Sequence, residues 1–151
     1  MTQTGGRYPG WRPGIELRDD WLGLVPETAI DPHREIVDPH HHLWRHGTPD
    51  APAVYEMDAL WRDTGAGHNV VQTVYIECRS YWDRDAPAHL QSVGETRTVA
   101  QMAAQVPRGQ AQIAGIIAQT ELVLPPDQLH AALDAHEAAG NGLFKGIRNS
   151  G

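Results

Sequence analysis

Val70-Val-Gln-Thr-Val-Tyr-Ile76 is the stretch on which the fold turns. It is rich in β-branched residues, and apolar side chains occupy both parities, as in a strand covered on both faces. Strands of that kind belong to parallel sheets, whose neighbours are joined by helical crossovers. Helical patterns are indeed written on either side. Downstream, Val99, Met102, Ala103 and Val106 recur at helical spacing, which predicts a helix over 92–106 stopped by Pro107 and Gly109. Gln112–Ala118 reads as the next strand. Pro125 or Pro126 opens a further helix, faced by Leu129, Ala132, Leu133 and His136 and closed by Gly140 as its C′ glycine. Leu143–Arg148 reads as a fourth short strand. Upstream, Glu56–Asp63 predicts a short helix with Leu60 and Trp61 on one side, stopped by Gly65 and Gly67, and 47–52 reads as a loop. Arg34-Glu-Ile-Val-Asp38 is the first strand, ending in Pro39, which cannot donate to a ladder.

The series is α/β. It predicts that 35–38, 70–77, 112–118 and 143–148 are parallel neighbours in chain order, joined by right-handed crossovers. Residues 1–34, with much Pro and Gly, read as an N-terminal extended arm with one short helical turn near Asp19–Leu24. Its Trp11, Trp21, Leu22 and Leu24 need a surface to lie on. Residues 35–151 form the second unit. The chain stops just after its fourth strand, where a βα loop should begin, which is the expectation for a cut chain.

The charge balance narrows the partners. Twelve Lys+Arg stand against 19 Asp+Glu, for a net charge of −7, and Lys145 is the one lysine. An acidic chain without a basic run gives no support for nucleic acid or an acidic membrane as partner. No apolar run approaches the ~18 residues of a membrane helix, and the N-terminus lacks the apolar stretch of a secretory signal. One cysteine, Cys78, excludes an internal disulfide and fits a reducing cytoplasm. Nine histidines are the anomaly.

Three of them are consecutive. Asp38-Pro39-His40-His41-His42 sits at the carboxyl end of the first strand. Alternate side chains of an extended chain share a face, so His40 and His42 point one way and His41 the other. Two imidazoles about 6.6 Å apart at Cα can turn both Nε2 atoms onto one divalent ion, zinc above all, at ~2.1 Å. Asp38 shares their parity and can orient a ligand histidine or approach the metal itself. The bland alternative is a polar loop whose histidines do nothing.

Asp-x-His-x-His closing a first strand resembles the metal-site opening of the amidohydrolase superfamily. The fuller string Ile36-Val-Asp-Pro-His-His-His-Leu-Trp44 resembles the amidohydrolase-related (amidohydrolase 2) branch of TIM-barrel hydrolases, which includes lactonases. Gly67–Cys78 resembles that branch's second strand, Val93-Gly-Glu-Thr96 the opening of its next helix, and Phe144-Lys-Gly-Ile-Arg148 its fourth strand. The likeness runs over roughly 19–151. It implies a partial TIM (β/α)8 barrel, about the first four βα units, since 151 residues fall short of the ~250 of a closed barrel. It also implies that His40 and His42 are the paired metal ligands, and that two histidines and a proton-accepting aspartate come from strands absent here. The branch includes members without a tightly held ion.

Other residues carry two readings each. Glu77 ends the second strand at the same rim as His42, where barrel chemistry gathers. It acts there on a substrate hydroxyl or a histidine, or is a strand-end acid paired with Arg79. Arg148 closes the fourth strand and either receives a substrate carboxylate bidentately or forms a rim salt bridge with Glu77 or Glu121. Trp44 either walls the substrate pocket or packs in the core. Cys78 reads as a buried structural thiol, because no histidine is placed to activate it. His68 lies at the amino end of its strand and reads as structural, and His130 and His136 as surface or packing residues. Lys145 begins its strand and is not assigned as a bridging ligand.

The resemblance, together with the His40/His42 geometry, implies a hydrolase acting on a lactone or similar cyclic ester, with a carboxylate on the substrate if Arg148 receives one, by metal- or electrostatically assisted attack of water. The catalytic candidates are Asp38 and Glu77, the substrate-binding candidates Arg148 and Trp44, and the metal ligands His40 and His42. A zinc-dependent decarboxylase of an unsaturated carboxylic acid is the nearest enzymatic alternative. A non-catalytic truncated fragment, prone to self-association or in want of a C-terminal half, is the other.

Overall fold

The computed structural model describes residues 23–25, 27–48 and 51–149. Its larger sheet has four parallel strands: β1 (Glu35–His41), β4 (Asn69–Ile76), β5 (Gln112–Ala118) and β6 (Phe144–Ile147), adjacent in that order. The expected order of strands is therefore found, in a mixed α/β fold. Three helices connect and cover the strands: α1 (Met57–Thr64), α2 (Val93–Ala103) and α3 (Pro126–Gly140). None of the described helices is long and apolar enough to cross a membrane.

One apolar cluster holds the layers together. Tyr75, Ile113 and Ile116 of the sheet meet Val99 and Ala100 of α2, and Leu43, two residues past β1, and Leu60 of α1 join them, all buried. The alternating burial of Thr73 and Tyr75 against the exposed Gln72 follows from the two-residue period of a strand.

Four local expectations are corrected. Residues 47–48 and 51–52 belong to strands and not to a loop: β2 (Trp44–Thr48) and β3 (Ala51–Tyr55) pair antiparallel, with Trp44 opposite Tyr55. Gly47 and Pro52 carry turn chemistry, yet they stand opposite each other within the paired strands. The first strand does not stop at Asp38. It runs through Pro39 to His41 with an irregularity, since Asp38 pairs with Thr73 but His41 with Tyr75, leaving one extra residue on β1. A proline without a donor is tolerated there because β1 is an edge strand and the extra residue forms a bulge. Helix α2 ends at Ala103, shorter than expected.

Gly140 is the last helical residue of α3 rather than its C′ residue; Asn141 takes the left-handed position, with φ of 47°. Glycine is needed at 140 for space instead. A Cβ there would stand 2.6 Å from the Cβ of Phe144.

Of the arm, residues 23–25 and 27–34 carry turns and bends but no helix or strand, and Trp11, Trp21 and Leu22 lie outside the described residues. Leu24 was expected to lie on a surface and is instead 71% exposed.

Candidate functional site

Strand β1 is the edge of the four-stranded sheet, with β4 as its one hydrogen-bonded neighbour among the described residues. His42 reaches across to its neighbour: its Nδ1 lies 2.7 Å from the Ile76 carbonyl at the end of β4. A carbonyl only accepts, so that nitrogen carries the proton and Nε2 presents its lone pair outward. The Nε2 of His40 lies 3.2 Å from it, with the two rings edge to face at 4.9 Å between centroids. His41 turns the other way. It is buried, its Nδ1–H donates to the Val74 carbonyl at 3.1 Å, and its Nε2 has no partner. Burial pulls the His41 pKa down to about 4, against the raising influence of Asp38. The alternation expected from the sequence thus holds at the three histidines.

Asp38 is engaged with its own strand. Its Oδ1 accepts the backbone N–H of His40 at 3.0 Å, which holds the bulged segment in shape. Asp38, His40, His41, His42 and Trp44 line one cleft of about 400 Å³, together with Tyr55, Asp63 and their neighbours. Trp44 stacks on Tyr55 at 4.8 Å and 22°. The β2–β3 hairpin is therefore what supplies the aromatic wall, with the Tyr55 hydroxyl donating to Asp63 at 2.6 Å.

Glu77 and Arg148 form a separate pair. Arg148 donates from Nε to Glu77 Oε1 at 3.1 Å and from Nη2 to the Glu77 carbonyl at 2.8 Å. Glu77 is 5% exposed, and the pair spans from the end of β4 to the end of β6. Arg148 thus takes the rim salt bridge that was one of its two readings, and the partner of Glu77 is Arg148 rather than Arg79. Neither residue lines the histidine cleft. The second carboxylate oxygen of Glu77 is buried without a partner.

A buried polar network behind the sheet escaped the sequence reading. Glu95 is 2% exposed in the first turn of α2. Its carboxylate accepts the backbone N–H groups of Cys78, Arg79 and Ser80 at 3.0, 3.1 and 3.3 Å, and the Tyr75 hydroxyl as well. Arg79 sits at φ 64°, which bends the chain so that these successive N–H groups converge. Gly94 lets α2 approach, since a Cβ there would lie 2.6 Å from the Asp83 nitrogen. The signal was present in Val93-Gly-Glu-Thr96: a glycine and an acid at the opening of a helix whose Val99, Met102 and Ala103 mark a packed face.

Cys78 belongs to the same network. Its thiol donates to the Leu43 carbonyl at 3.1 Å, and burial raises its pKa, the opposite of what a nucleophile needs. His136, read as a surface or packing residue, is wholly buried. Its Nε2–H donates to the Gln119 carbonyl at 3.1 Å, its Nδ1 accepts from Thr96 at 2.8 Å, and its ring stacks on Phe144. Burial lowers its pKa. His68 and His130 are exposed.

Among the described residues, no group of three or more His, Cys, Asp and Glu side chains is arranged to hold a metal ion. Comparison with family models, with curated proteins and with solved structures gives no match in any of the three.

Proposed function

We propose that the chain carries the histidine pair of a metal-assisted hydrolase of the amidohydrolase-related kind, on the first four strands of a (β/α)8 barrel, with a lactone or similar cyclic ester as substrate. The observation that supports this most is the approach of His40 Nε2 to within 3.2 Å of His42 Nε2. Two nitrogens on one tetrahedral zinc, each at ~2.1 Å, stand roughly 3.4 Å apart. The pair therefore fits a shared divalent ion, and the His42–Ile76 hydrogen bond fixes the tautomer such an ion requires.

When bound, the ion polarises a carbonyl and makes an attacking water more acidic. The chain's own residues do the rest of the work assigned here. His40 and His42 hold the ion, Asp38 fixes the backbone of His40, and Trp44 on Tyr55 offers a flat apolar wall beside the pair. Two imidazoles leave a catalytic zinc short of its usual three protein ligands. Further ligands and the proton-accepting aspartate come from outside this chain in this reading, through a C-terminal half. Glu77, held by Arg148 away from the cleft, serves the rim rather than the reacting centre.

Calorimetry with zinc tests the pair. Micromolar affinity at best is expected, lost in His40→Ala and in His42→Ala and kept in His41→Ala. Equal loss on changing His41 would overturn the pairing. A lactone-hydrolysis assay on the chain joined to a downstream half tests the reaction. Turnover of an unsaturated carboxylic acid with loss of carbon dioxide, and none of lactones, replaces the hydrolase with the decarboxylase. No turnover of either leaves the non-catalytic reading.

A further inference from the structure

A carboxylate on the substrate depended on Arg148 to receive it, and Arg148 is occupied elsewhere. It gives Nε to the Glu77 carboxylate and Nη2 to the Glu77 carbonyl. The chain's one lysine, Lys145, donates to the Gly142 carbonyl at 2.7 Å. Arg45, next to Trp44 in the chain, gives both Nε and Nη2 to Glu56. None of these three cations lines the histidine cleft.

Besides its histidines, the ionisable side chains that line the cleft are the carboxylates Asp38 and Asp63 and the phenol of Tyr55. Asp63 is exposed and accepts the Tyr55 hydroxyl at 2.6 Å. The sign of the carboxylates is felt at the aromatic wall. Burial pushes the Tyr55 pKa up most, followed by the hydrogen bond to Asp63, the charge of Asp63 and the charge of Asp38. Arg62 pulls the other way, more weakly than any of these. The field at that wall is therefore negative.

The remaining surface is apolar and flat. Trp44 is stacked on Tyr55, and Leu60 and Val70 add aliphatic lining. A cleft of about 400 Å³ suits a small organic ring. A carboxylate on that ring would meet two like charges without a cation to offset them, whereas the carbonyl of a cyclic ester brings no charge to repel. When the histidine pair holds a divalent ion, the two carboxylates match its charge, and no surplus is left to hold an anion.

We propose that the histidine cleft selects an uncharged cyclic ester, its ring against the Trp44 wall, over the same ring bearing a carboxylate, and that Asp63 sets this preference. The inference rests on the reading of the cleft as the lactone site. It puts the unsaturated carboxylic acid of the decarboxylase alternative on the disfavoured side.

The test follows the Trp44 indole N–H by nuclear magnetic resonance, its signal assigned by Trp44→Phe. The whole metal-free chain is titrated with coumarin-3-carboxamide and coumarin-3-carboxylate, which match in size and differ in charge. Saturable shifts are expected with the amide, and affinity about five-fold weaker for the carboxylate at low salt, the gap narrowing in about 0.5 M sodium chloride. Asp63→Asn keeps an acceptor for Tyr55 and removes the charge. It should bring the carboxylate to within about two-fold of the amide and leave the amide unchanged. The salt series reads the same effect in the unaltered chain if the variant does not fold. Equal or tighter binding of the carboxylate, a gap that neither salt nor Asp63→Asn narrows, or no saturable binding of the amide would overturn the proposal. Zinc calorimetry on the same sample separates the two failures. Zinc bound without a preference for the amide sinks this inference alone, and the preference without zinc sinks the metal pair alone.

Discussion

The histidine cleft and the network around Glu95 sit on neighbouring elements and use similar side chains to opposite ends. Behind the sheet, every oxygen and nitrogen that matters is spoken for: Glu95 takes backbone N–H groups from three successive residues, and His136 is bonded at both ring nitrogens. At the end of β1, His42 Nε2 accepts from His40 Nε2 at 3.2 Å, a bond between two side chains at a rim and not to the backbone. A closed network holds a loop and two helices in place. An open pair holds capacity for a ligand. Burial with backbone hydrogen bonds is the mark of the first, and two imidazole nitrogens converging at a rim, whose shared proton an ion can displace, the mark of the second.

The contrast is open to attack by mutation. Glu95→Ala should be the most damaging change, by about 4 kcal/mol in chemical denaturation, because it leaves several buried donors unpaired at once. A loss under 1 kcal/mol would mean that water enters and the network is not closed. Gly140→Ala should cost about 2 kcal/mol, since the new methyl meets Phe144 at 2.6 Å. A thermal melt unchanged from wild type would show that α3 shifts freely.

The pH response sharpens the same difference. Burial holds the folded-state pKa of His136 below its ordinary value. The unfolded chain therefore binds the proton first, and the stability contributed by neutral His136 is fully present above pH ~6.5. It falls as the pH drops below that, by up to about 1.4 kcal/mol per pH unit, until the folded-state pKa is passed. His136→Gln should be less stable at pH 7 and flatter between pH 7 and 5. An unchanged slope would assign the acid sensitivity elsewhere. The smallest effect is expected at the open site: His40→Ala should alter stability by no more than about 0.5 kcal/mol while abolishing zinc binding in calorimetry.

Much of the fold was legible because the strands and helices carry strong periods. Val70–Ile76 and Gln112–Ala118 announced themselves through β-branched residues, and strand order followed from the βα rhythm. The hairpin was not legible, since Trp44–Thr48 and Ala51–Tyr55 are five residues each and neither alternates. Of the site, the facing of His40 and His42 followed from strand parity. What parity did not reveal was the stacking of Trp44 on Tyr55 or the pairing of Glu77 with Arg148. Trp44 and Tyr55 stand on two short strands that no period marks, and the ion pair of Arg148 with Glu77, one of the alternatives the sequence left open, joins strand ends 71 residues apart. Glu95 was hidden for the opposite reason: polar residues are ordinarily outside, and only the packed structure shows donors waiting for it. His136 stood on the apolar face of its helix, and packing is the one of its two readings that the structure bears out.

The hydrogen bond from His42 to Ile76 has a dynamic consequence. The ring follows directly on the edge strand but is anchored to the strand beside it. Each time β1 frays from β4, the anchor opens and the imidazole loses its fixed tautomer. Whatever occupies His42 Nε2 only in the zipped state must therefore slow the fraying, by the mass-action factor its concentration and affinity allow. Amide hydrogen exchange along Glu35–His41 would then report occupancy of a nitrogen that no amide touches.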